Sequence, residues 1–210
     1  MLSPRFVPMV PQPLVLPKLY FIRHGETDWN AEGRLQGQRD IPLNDVGRVQ
    51  AEEAGAILHR LAPDFPDLAY WSSPLTRTRE TMEIARARLG LYPHVYRTDD
   101  RLKELSFGEW EGLTWPEVEA RSPSEAAGRI ADKWHSPPPQ GENYEQVAAR
   151  LTGFLGLLER PSVIVSHGGV GRALMALCGA MSRAKAAEVF VRQGVVYVFD
   201  GPRFTVEADA

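Results

Sequence analysis

Short, uninterrupted apolar runs alternate along this chain with longer segments whose apolar residues recur at helical spacing. A strand buried on both faces, as in a parallel sheet, is a continuous apolar run because neither face meets water. We therefore predict strands at residues 19–22 (LYFI), 68–71 (LAYW), 163–165 (VIV) and 195–199 (VVYVF). The run at 204–206 can pair back on the last of these across the turn at 200–202.

The segments between the strands predict amphipathic helices. One follows Asn44 and another follows Asn143, since asparagine is a good N-cap residue, and a third begins after Gly168-Gly169. Their apolar stripes are Val46, Val49, Ala54, Ile57, Leu58 and Leu61; Tyr144, Val147, Ala148, Leu151, Phe154, Leu155 and Leu158; and Leu174, Leu177 and Cys178. Strand–helix alternation of this kind predicts an α/β fold: a three-layer α/β/α sandwich with helices on both faces of a mostly parallel sheet.

Two parts of the chain break this alternation. Residues 106–141 contain three tryptophans, one or two expected helical pieces and a proline run, and we interpret them as a small cap inserted over one end of the sheet. Residues 1–17 contain five prolines, which break helices and inner strands, so we expect an extended arm there and a single domain over 18–210. The apolar residues of the arm suggest the hypothesis that it builds a homo-oligomer.

Composition excludes several classes of function. The 24 Lys and Arg against 27 Asp and Glu give a net charge of −3, which does not support a nucleic-acid or an anionic-membrane partner. No apolar run is long enough for a signal-peptide core or a membrane span. The lone Cys178 rules out an intramolecular disulfide and is expected to be a packed, unreactive thiol. We therefore expect a cytoplasmic protein with neither of these partners.

Three polar clusters follow predicted strands, at residues 23–26 (RHGE), 72–77 (SSPLTR) and 166–169 (SHGG). Open α/β sheets bind ligands at the edge where the strands have their carboxyl ends, so the clusters are expected to converge there. Glycines beside both histidines let backbone N–H groups approach an anion, and the second cluster opens a helix whose N-terminus favours negative charge. The implied ligand is a phosphate or a similar oxyanion.

Each of these residues also has a plainer explanation when it is taken alone. A single histidine after a strand is more often a hydrogen-bonded structural residue, and Arg77 could be a solvated charge on its helix. Glu26 is more readily explained as fixing its loop than as a catalytic acid. The glycines at 169 and 171 make a weak dinucleotide motif, and no H-E-x-x-H, cysteine pair or G-x-x-x-x-G-K-[ST] is present to indicate a metal site or a P-loop.

The run LYFIRHGETDWN at 19–30 closely resembles the R-H-G-E-T-x-W-N motif of the histidine phosphatase superfamily, also called phosphoglycerate-mutase-like. The likeness extends over about residues 18–200, in the family's order and spacing. It continues through 36–37 (QG), 40–44 (DIPLN), 72–77 (SSPLTR), 102–104 (LKE), 108–112 (GEWEG) and 166–169 (SHGG). The resemblance implies a mostly parallel α/β/α sandwich, one catalytic domain over 18–210, and no metal or organic cofactor.

The resemblance also implies a role for each matching residue. His24 would be the nucleophile that takes a phosphoryl group onto a ring nitrogen, and Glu104 would protonate the leaving oxygen and then act as a base toward water. The residues implied to bind the phosphoryl oxygens are Arg23, Arg77 and His167. Those implied to line the same pocket are Asn30, Gln36, Gly37 and Gly168. The implied partner is a small phosphorylated substrate.

Within the family, the chain resembles the broad-specificity and α-ribazole-phosphate phosphatases more than the mutases. The mutases place Thr or Ser where Gln36 stands and have a much longer insertion before the second histidine, whereas only 62 residues separate Glu104 from His167 here. The expected activity is metal-independent hydrolysis of a phosphomonoester through a phosphohistidine, as in an acid-type histidine phosphatase. Mutase-type phosphoryl transfer and a non-catalytic phospholigand-binding protein are the alternatives.

Two further expectations concern specificity and pH. The aromatic rings of Trp110, Trp115, Trp134 and Tyr144 are expected to select the alcohol half of the substrate, although filling a small core is at least as good an explanation for two of the four. A histidine nucleophile must be neutral, and nearby Arg23 and Arg77 should lower its pKa from about 6.5. Because the acid must start protonated, we expect a bell-shaped pH profile at or below neutrality.

Overall fold

A mixed sheet lies at the centre of this computed structural model, which describes residues 16–208. The strands found in this range are Leu19–Arg23 (β1), Ala69–Ser72 (β2), Arg97–Thr98 (β3), Ser162–Ser166 (β4), Val196–Asp200 (β5) and Arg203–Glu207 (β6). Their order is β3-β2-β4-β1-β5-β6; the first four are parallel, and β5 and β6 form an antiparallel hairpin beside β1. The predicted mostly parallel sheet and its closing hairpin are confirmed; the two-residue β3 was not predicted.

Helices cover both faces of the sheet. The helices of the described range are Asp28–Ala31 (α1), Asp45–Leu61 (α2), Thr76–Arg88 (α3), Trp115–Arg121 (α4), Pro123–Ala131 (α5), Tyr144–Leu155 (α6), Gly168–Leu177 (α7) and Arg183–Glu188 (α8). Successive strand residues point to opposite faces, so Phe21 joins a core with α6, α7 and α8, whereas Ile22 joins a core with α2 and α3. The fold is therefore the predicted three-layer α/β/α sandwich.

The predicted apolar stripe of α2 is wrong at its first turns. Val46 and Val49 are 52% and 55% exposed, and the buried face begins instead at Gly47. The reason is a backbone contact: a Cβ atom on Gly47 would overlap the carbonyl oxygen of Glu26, and one on Gly25 would overlap the carbonyl of Gly47. This close approach fixes the rotation of α2 and anchors the helix to the loop that follows β1.

Two other helices differ from prediction only at their ends. Helix α6 stops at Leu155, with Gly156 as its C-cap, so Leu158 packs against the core from outside the helix. Helix α7 begins at Gly168, so both glycines of the third polar cluster lie in its first turn. None of the helices in the described range has the length and apolar character needed to cross a membrane.

The segment predicted to be a cap contains α4, α5 and a 3-10 turn at Gly108–Trp110. Trp110, Val118 and Ala126 form a small core of their own. The segment is joined to the loop after α1 because Leu35 N–H donates to the carbonyl of Leu113 at 2.9 Å. Its function as a cap stays a prediction, and most of the predicted arm, residues 1–15, lies outside the described part of the chain.

Candidate active site

The three polar clusters converge at the carboxyl ends of β1, β2 and β4. The imidazole rings of His24 and His167 lie with their centroids 5.2 Å apart, and His167 Nε2 is 2.8 Å from Ser73 Oγ. The main chains are also joined, since His24 N–H donates to the carbonyl of Ser166 at 2.9 Å. Residues from distant parts of the sequence thus meet because parallel strands deliver them to the same edge.

His24 is buried and its ring orientation is fixed. Its Nδ1 is 2.7 Å from the carbonyl oxygen of Gly25, so Nδ1 carries the proton and Nε2 has the lone pair. Gly25 N–H in turn donates to Thr81 Oγ1 at 3.0 Å, while Glu26 Oε1 accepts from Asn44. Glu26 therefore fixes the loop, as expected, and no hydrogen bond within residues 16–208 engages Nε2 of His24.

Arg77 and Arg23 are held by carbonyl groups rather than by carboxylates. Arg77 is fully buried, with Nη1 and Nη2 donating to the carbonyls of Arg39 and Gly37 at 2.7 and 2.8 Å. Arg23 Nη1 donates to the carbonyl of Val191 at 2.7 Å. Burial lowers the pKa of each guanidinium to about 10, so both remain charged near neutral pH.

Several buried polar atoms of this site have no hydrogen-bond partner within residues 16–208. They are Nε of Arg23, Nε of Arg77, Nδ1 of His167 and Oε1 of Gln36. An unpaired buried donor is costly, and such groups cluster where a ligand completes their bonding. Two charged N–H groups without acceptors match the oxygens of a phosphoryl group in both charge and hydrogen-bonding capacity.

The two histidines are kept neutral. Burial is the largest cause, and the positive charge of Arg77 adds to it, so the pKa values of His24 and His167 lie well below the ordinary value. Arg23 lowers the pKa of His24 further. A neutral imidazole has the free lone pair that a nucleophile requires.

Glu104 is held at the N-terminus of α7. Its Oε1 and Oε2 accept from Gly169 N–H at 3.0 and 3.1 Å, and Oε1 also accepts from Leu105 N–H at 2.8 Å. A Cβ atom at 169 would overlap Oε1 of Glu104, so any side chain there would displace this carboxylate. The N-terminus of α3 was also expected to favour the bound anion, and this expectation is wrong. Asp40 already occupies that N-terminus, because its carboxylate accepts from the N–H and Oγ1 of Thr76.

These residues line a cleft of about 180 Å³. Of the residues predicted to form the site, the cleft is lined by Arg23, His24, Asn30, Gln36, Gly37, Arg77, Glu104 and Gly168. His167 does not line it and lies fully buried against His24 and Ser73. Asn30 is oriented through its Oδ1, which accepts from Gln193 Nε2 at 3.2 Å.

The walls of the cleft include residues that the sequence did not indicate: Arg34, Leu35, Phe107, Arg172 and Phe190. The aromatic rings expected there are absent from this lining. Trp110, Trp134 and Tyr144 are buried in cores, where Trp134 stacks on Tyr144 with centroids 5.6 Å apart, and Trp115 packs edge-on against Trp110. Phe107 lies between the motifs at 102–104 and 108–112, so the sequence could have indicated it. Phe190 lies beside no such motif.

Other titratable groups lie apart from the cleft. Cys178 is buried, and burial raises the pKa of its thiol to about 12, in agreement with an unreactive packed cysteine. His135 is at the surface beside Asp132. Within residues 16–208, no group of three or more His, Cys, Asp or Glu side chains is arranged to hold a metal ion.

Comparison with known proteins gives a consistent family and fold. The model of the histidine phosphatase superfamily (branch 1) matches residues 19–206. Glucosyl-3-phosphoglycerate phosphatase of Mycobacterium tuberculosis is 36% identical over 173 residues, which are 76% of this chain and 74% of that protein. The solved mycobacterial glucosyl-3-phosphoglycerate phosphatase in complex with VO3 superposes with a TM-score of 0.75 at 31% identity, covering 91% of this chain and 98% of that one. A phosphoglycerate mutase from Thermus thermophilus gives 0.69 at 34% identity, covering 92% and 99%.

Proposed function

The chain belongs to the histidine phosphatase superfamily (branch 1), and on this premise we propose that it hydrolyses phosphomonoesters through a phosphohistidine on His24, without a metal. The proposal rests on one arrangement: a buried neutral imidazole has its Nδ1 bonded to Gly25 and its Nε2 free. It lines a cleft together with Arg23 and Arg77, whose Nε groups are unpaired within residues 16–208. The phosphatase activity named for the mycobacterial relative supports the hydrolytic direction.

In the proposed first step, the Nε2 lone pair of His24 attacks phosphorus. A P–N bond forms while the P–O bond to the alcohol breaks, and Glu104 gives its proton to the departing oxygen so that a neutral alcohol leaves. The positive charge that develops on the ring is stabilised by the Nδ1–H bond to the Gly25 carbonyl.

In the second step a water molecule attacks the phosphoryl group. The Glu104 carboxylate accepts the proton of this water, the P–N bond breaks, and its electron pair returns to Nε2 as inorganic phosphate is released. The same residue acts first as acid and then as base, which a carboxyl group held by two backbone N–H groups can do without moving.

Arg23 and Arg77 supply the electrostatic part of catalysis. Loss of a single preorganised donor of this kind costs about 10²–10³-fold in rate, because the donor meets charge that redistributes over the phosphoryl oxygens. Both guanidinium groups are already held in place by carbonyls, so their reorganisation on substrate binding is small.

The walls of the cleft favour an anionic alcohol half. Arg172 lines the cleft beside Phe107 and Phe190, so the leaving group meets positive charge and aromatic surface. Arg34 also lines the cleft, but its charge is paired with Glu32 at 2.6 Å. The substrate named for the mycobacterial relative, a glucosyl-3-phosphoglycerate, carries a carboxylate beside its phosphate. We therefore propose phosphomonoesters with a neighbouring carboxylate as the substrate class.

The test is rapid-quench turnover of p-nitrophenyl phosphate in EDTA. We expect a burst of p-nitrophenol together with phosphate bound covalently to the protein, in a linkage that is stable to base and labile to acid. His24→Ala should lose both, whereas His59→Ala, which changes an exposed histidine, should retain both.

Three results separate the alternatives. Full turnover by His24→Ala would refute the nucleophile. Phosphate transferred to a second hydroxyl in place of release to water would indicate a mutase, as in the Thermus thermophilus neighbour. Binding of phosphate esters with no turnover would indicate a non-catalytic phospholigand-binding protein.

A further inference from the structure

An ion pair packs against the backbone that carries Glu104. Arg150, on α6, donates from Nε and Nη2 to Oε1 and Oε2 of Glu142 at 3.0 and 3.1 Å. The two side chains are 18% and 23% exposed. Such a two-point arginine–carboxylate contact is directional, so it fixes the planes of both groups.

The Arg150–Glu142 pair also makes hydrogen bonds to the backbone on either side of Glu104. Arg150 Nη1 donates to the carbonyl of Arg101 at 2.6 Å, and Nη2 donates to the carbonyl of Glu104 itself at 3.1 Å. Glu142 Oε2 accepts from Ser106 N–H at 3.0 Å. The pair therefore spans residues 101–106 and contacts both sides of the Glu104 backbone.

The same pair is connected to the loop that holds Arg77. Gln38 Nε2 donates to the carbonyl of Glu104 at 3.1 Å and to Oε2 of Glu142 at 3.5 Å, and the neighbouring Gly37 carbonyl accepts from Arg77 Nη2. Removing either charge would leave the other part-buried and unpaired, with two chain segments released together.

We propose that Arg150 and Glu142 are positioning residues that set the place of the Glu104 carboxyl group in the cleft. This inference rests on the proposed function, in which Glu104 protonates the leaving oxygen. It has a specific consequence: p-nitrophenolate is a stable anion that leaves without a proton, whereas an alkoxide is not. Misplacing Glu104 should therefore slow the cleavage of alkyl phosphates far more than that of p-nitrophenyl phosphate.

The experiment compares kcat/KM, which reports transfer to His24 and not the later hydrolysis, for p-nitrophenyl phosphate and O-phosphoserine. In Arg150→Met and Glu142→Gln we expect a loss of about 10- to 100-fold for O-phosphoserine and less than about 3-fold for p-nitrophenyl phosphate. Arg150→Lys, which keeps the charge without the fork, should fall between. Lys133→Met, which breaks the exposed Lys133–Glu188 pair, is the matched control and should change neither value.

A double-mutant cycle distinguishes positioning from general support of the fold. In a Glu104→Gln background, Arg150→Met should cause no further loss with O-phosphoserine, because the group it positions is already gone. Equal losses for both substrates, or additive losses in the cycle, would overturn the inference. The wild-type protein is measured first with both substrates. If it turns over neither, the proposed function is wrong and the variants are not compared.

Discussion

Gly169 and Glu104 are in contact across 65 positions of sequence, and the absence of a side chain on the first sets the place of the second. Both carboxylate oxygens of Glu104 accept from the Gly169 N–H, and a Cβ atom at 169 would overlap Oε1. The two residues are distant in the chain, so the position of the Glu104 carboxylate depends on Gly169 only because the fold brings them together.

Gly169→Ala should displace the Glu104 carboxyl group. We expect kcat/KM for an alkyl phosphate to fall by about 10-fold or more, since small misplacements of catalytic groups cost this much. The control is Gly128→Ala in α5, where an added Cβ meets nothing within 4 Å. It should leave activity unchanged and stabilise the fold by about 0.4–1 kcal/mol. Unchanged kinetics in Gly169→Ala would contradict the contact.

Stability should fall as the pH is lowered below about 6.5. The pKa values of His24 and His167 are depressed in the fold by burial and by Arg77, so the unfolded chain binds protons first. Their contribution is complete above pH 6.5 and is lost as pH falls toward the folded pKa, with a slope of up to about 1.4 kcal/mol per pH unit for each histidine. Urea unfolding from pH 7.5 to 5 measures it.

The matched variant for this measurement is His24→Ala, whose unfolding free energy should depend less steeply on pH than that of wild type. The acid limb of kcat/KM should likewise lie below pH 6.5, because burial and Arg77 lower the pKa of His24 and the ring becomes protonated only at lower pH. An acid limb above 6.5 would contradict a nucleophile whose pKa is lowered by burial and by the charge of Arg77.

Arg77→Lys should weaken the binding of inorganic phosphate by about 10- to 100-fold, the equivalent of one or two charge-assisted hydrogen bonds. Lysine keeps a positive charge, but its three N–H donors lie on one nitrogen. It therefore cannot match the separate nitrogens with which Arg77 binds the carbonyls of Gly37 and Arg39 and presents Nε–H to an anion. Isothermal calorimetry with phosphate measures the change. Arg88→Lys, an exposed site on the same helix, should bind phosphate as wild type does.

Arg172→Met should reduce kcat/KM for O-phosphoserine by about 10-fold more than for glycerol 2-phosphate, which has no carboxylate. The reason is that Arg172 lines the cleft and is not one of the residues proposed to bind the phosphoryl oxygens. Tyr144→Phe is the comparison variant, because it keeps the charge of Arg172. It removes only the hydrogen bond that Arg172 Nη1 makes to the Tyr144 hydroxyl at 2.9 Å. Equal losses for the two substrates would rule out carboxylate recognition by Arg172.

The strands and the centre of the site could be predicted because they depend on local pattern. Strands β1 and β4 are buried along their length, so an apolar run suffices to find them, and motifs such as RHG at 23–25 carry the resemblance within a few residues. Strand β3, with two exposed residues, has no such pattern.

What could not be predicted depends on contacts between distant segments. Periodicity placed Val46 inward, but the backbone approach of Gly47 to Glu26 turns the helix differently. Tryptophan was expected in the cleft because large rings often contact ligands, yet Trp110 fills a core instead. The arrival of Phe190 at the cleft follows from the turn between α8 and β5, which no local motif describes.

The close backbone approach between residues 25–26 and Gly47 has a consequence for which substitutions this chain accepts. A saturation scan should therefore find that no other amino acid is accepted at position 25 or at position 47, because the atoms in the way are backbone atoms. A Cβ atom at 25 would meet backbone atoms of Gly47, and one at 47 would meet backbone atoms of Glu26. Because backbone atoms are present in every variant, a change at one glycine cannot be rescued by a change at the other. Mutant libraries that vary the loop carrying His24 should therefore keep glycine at both positions.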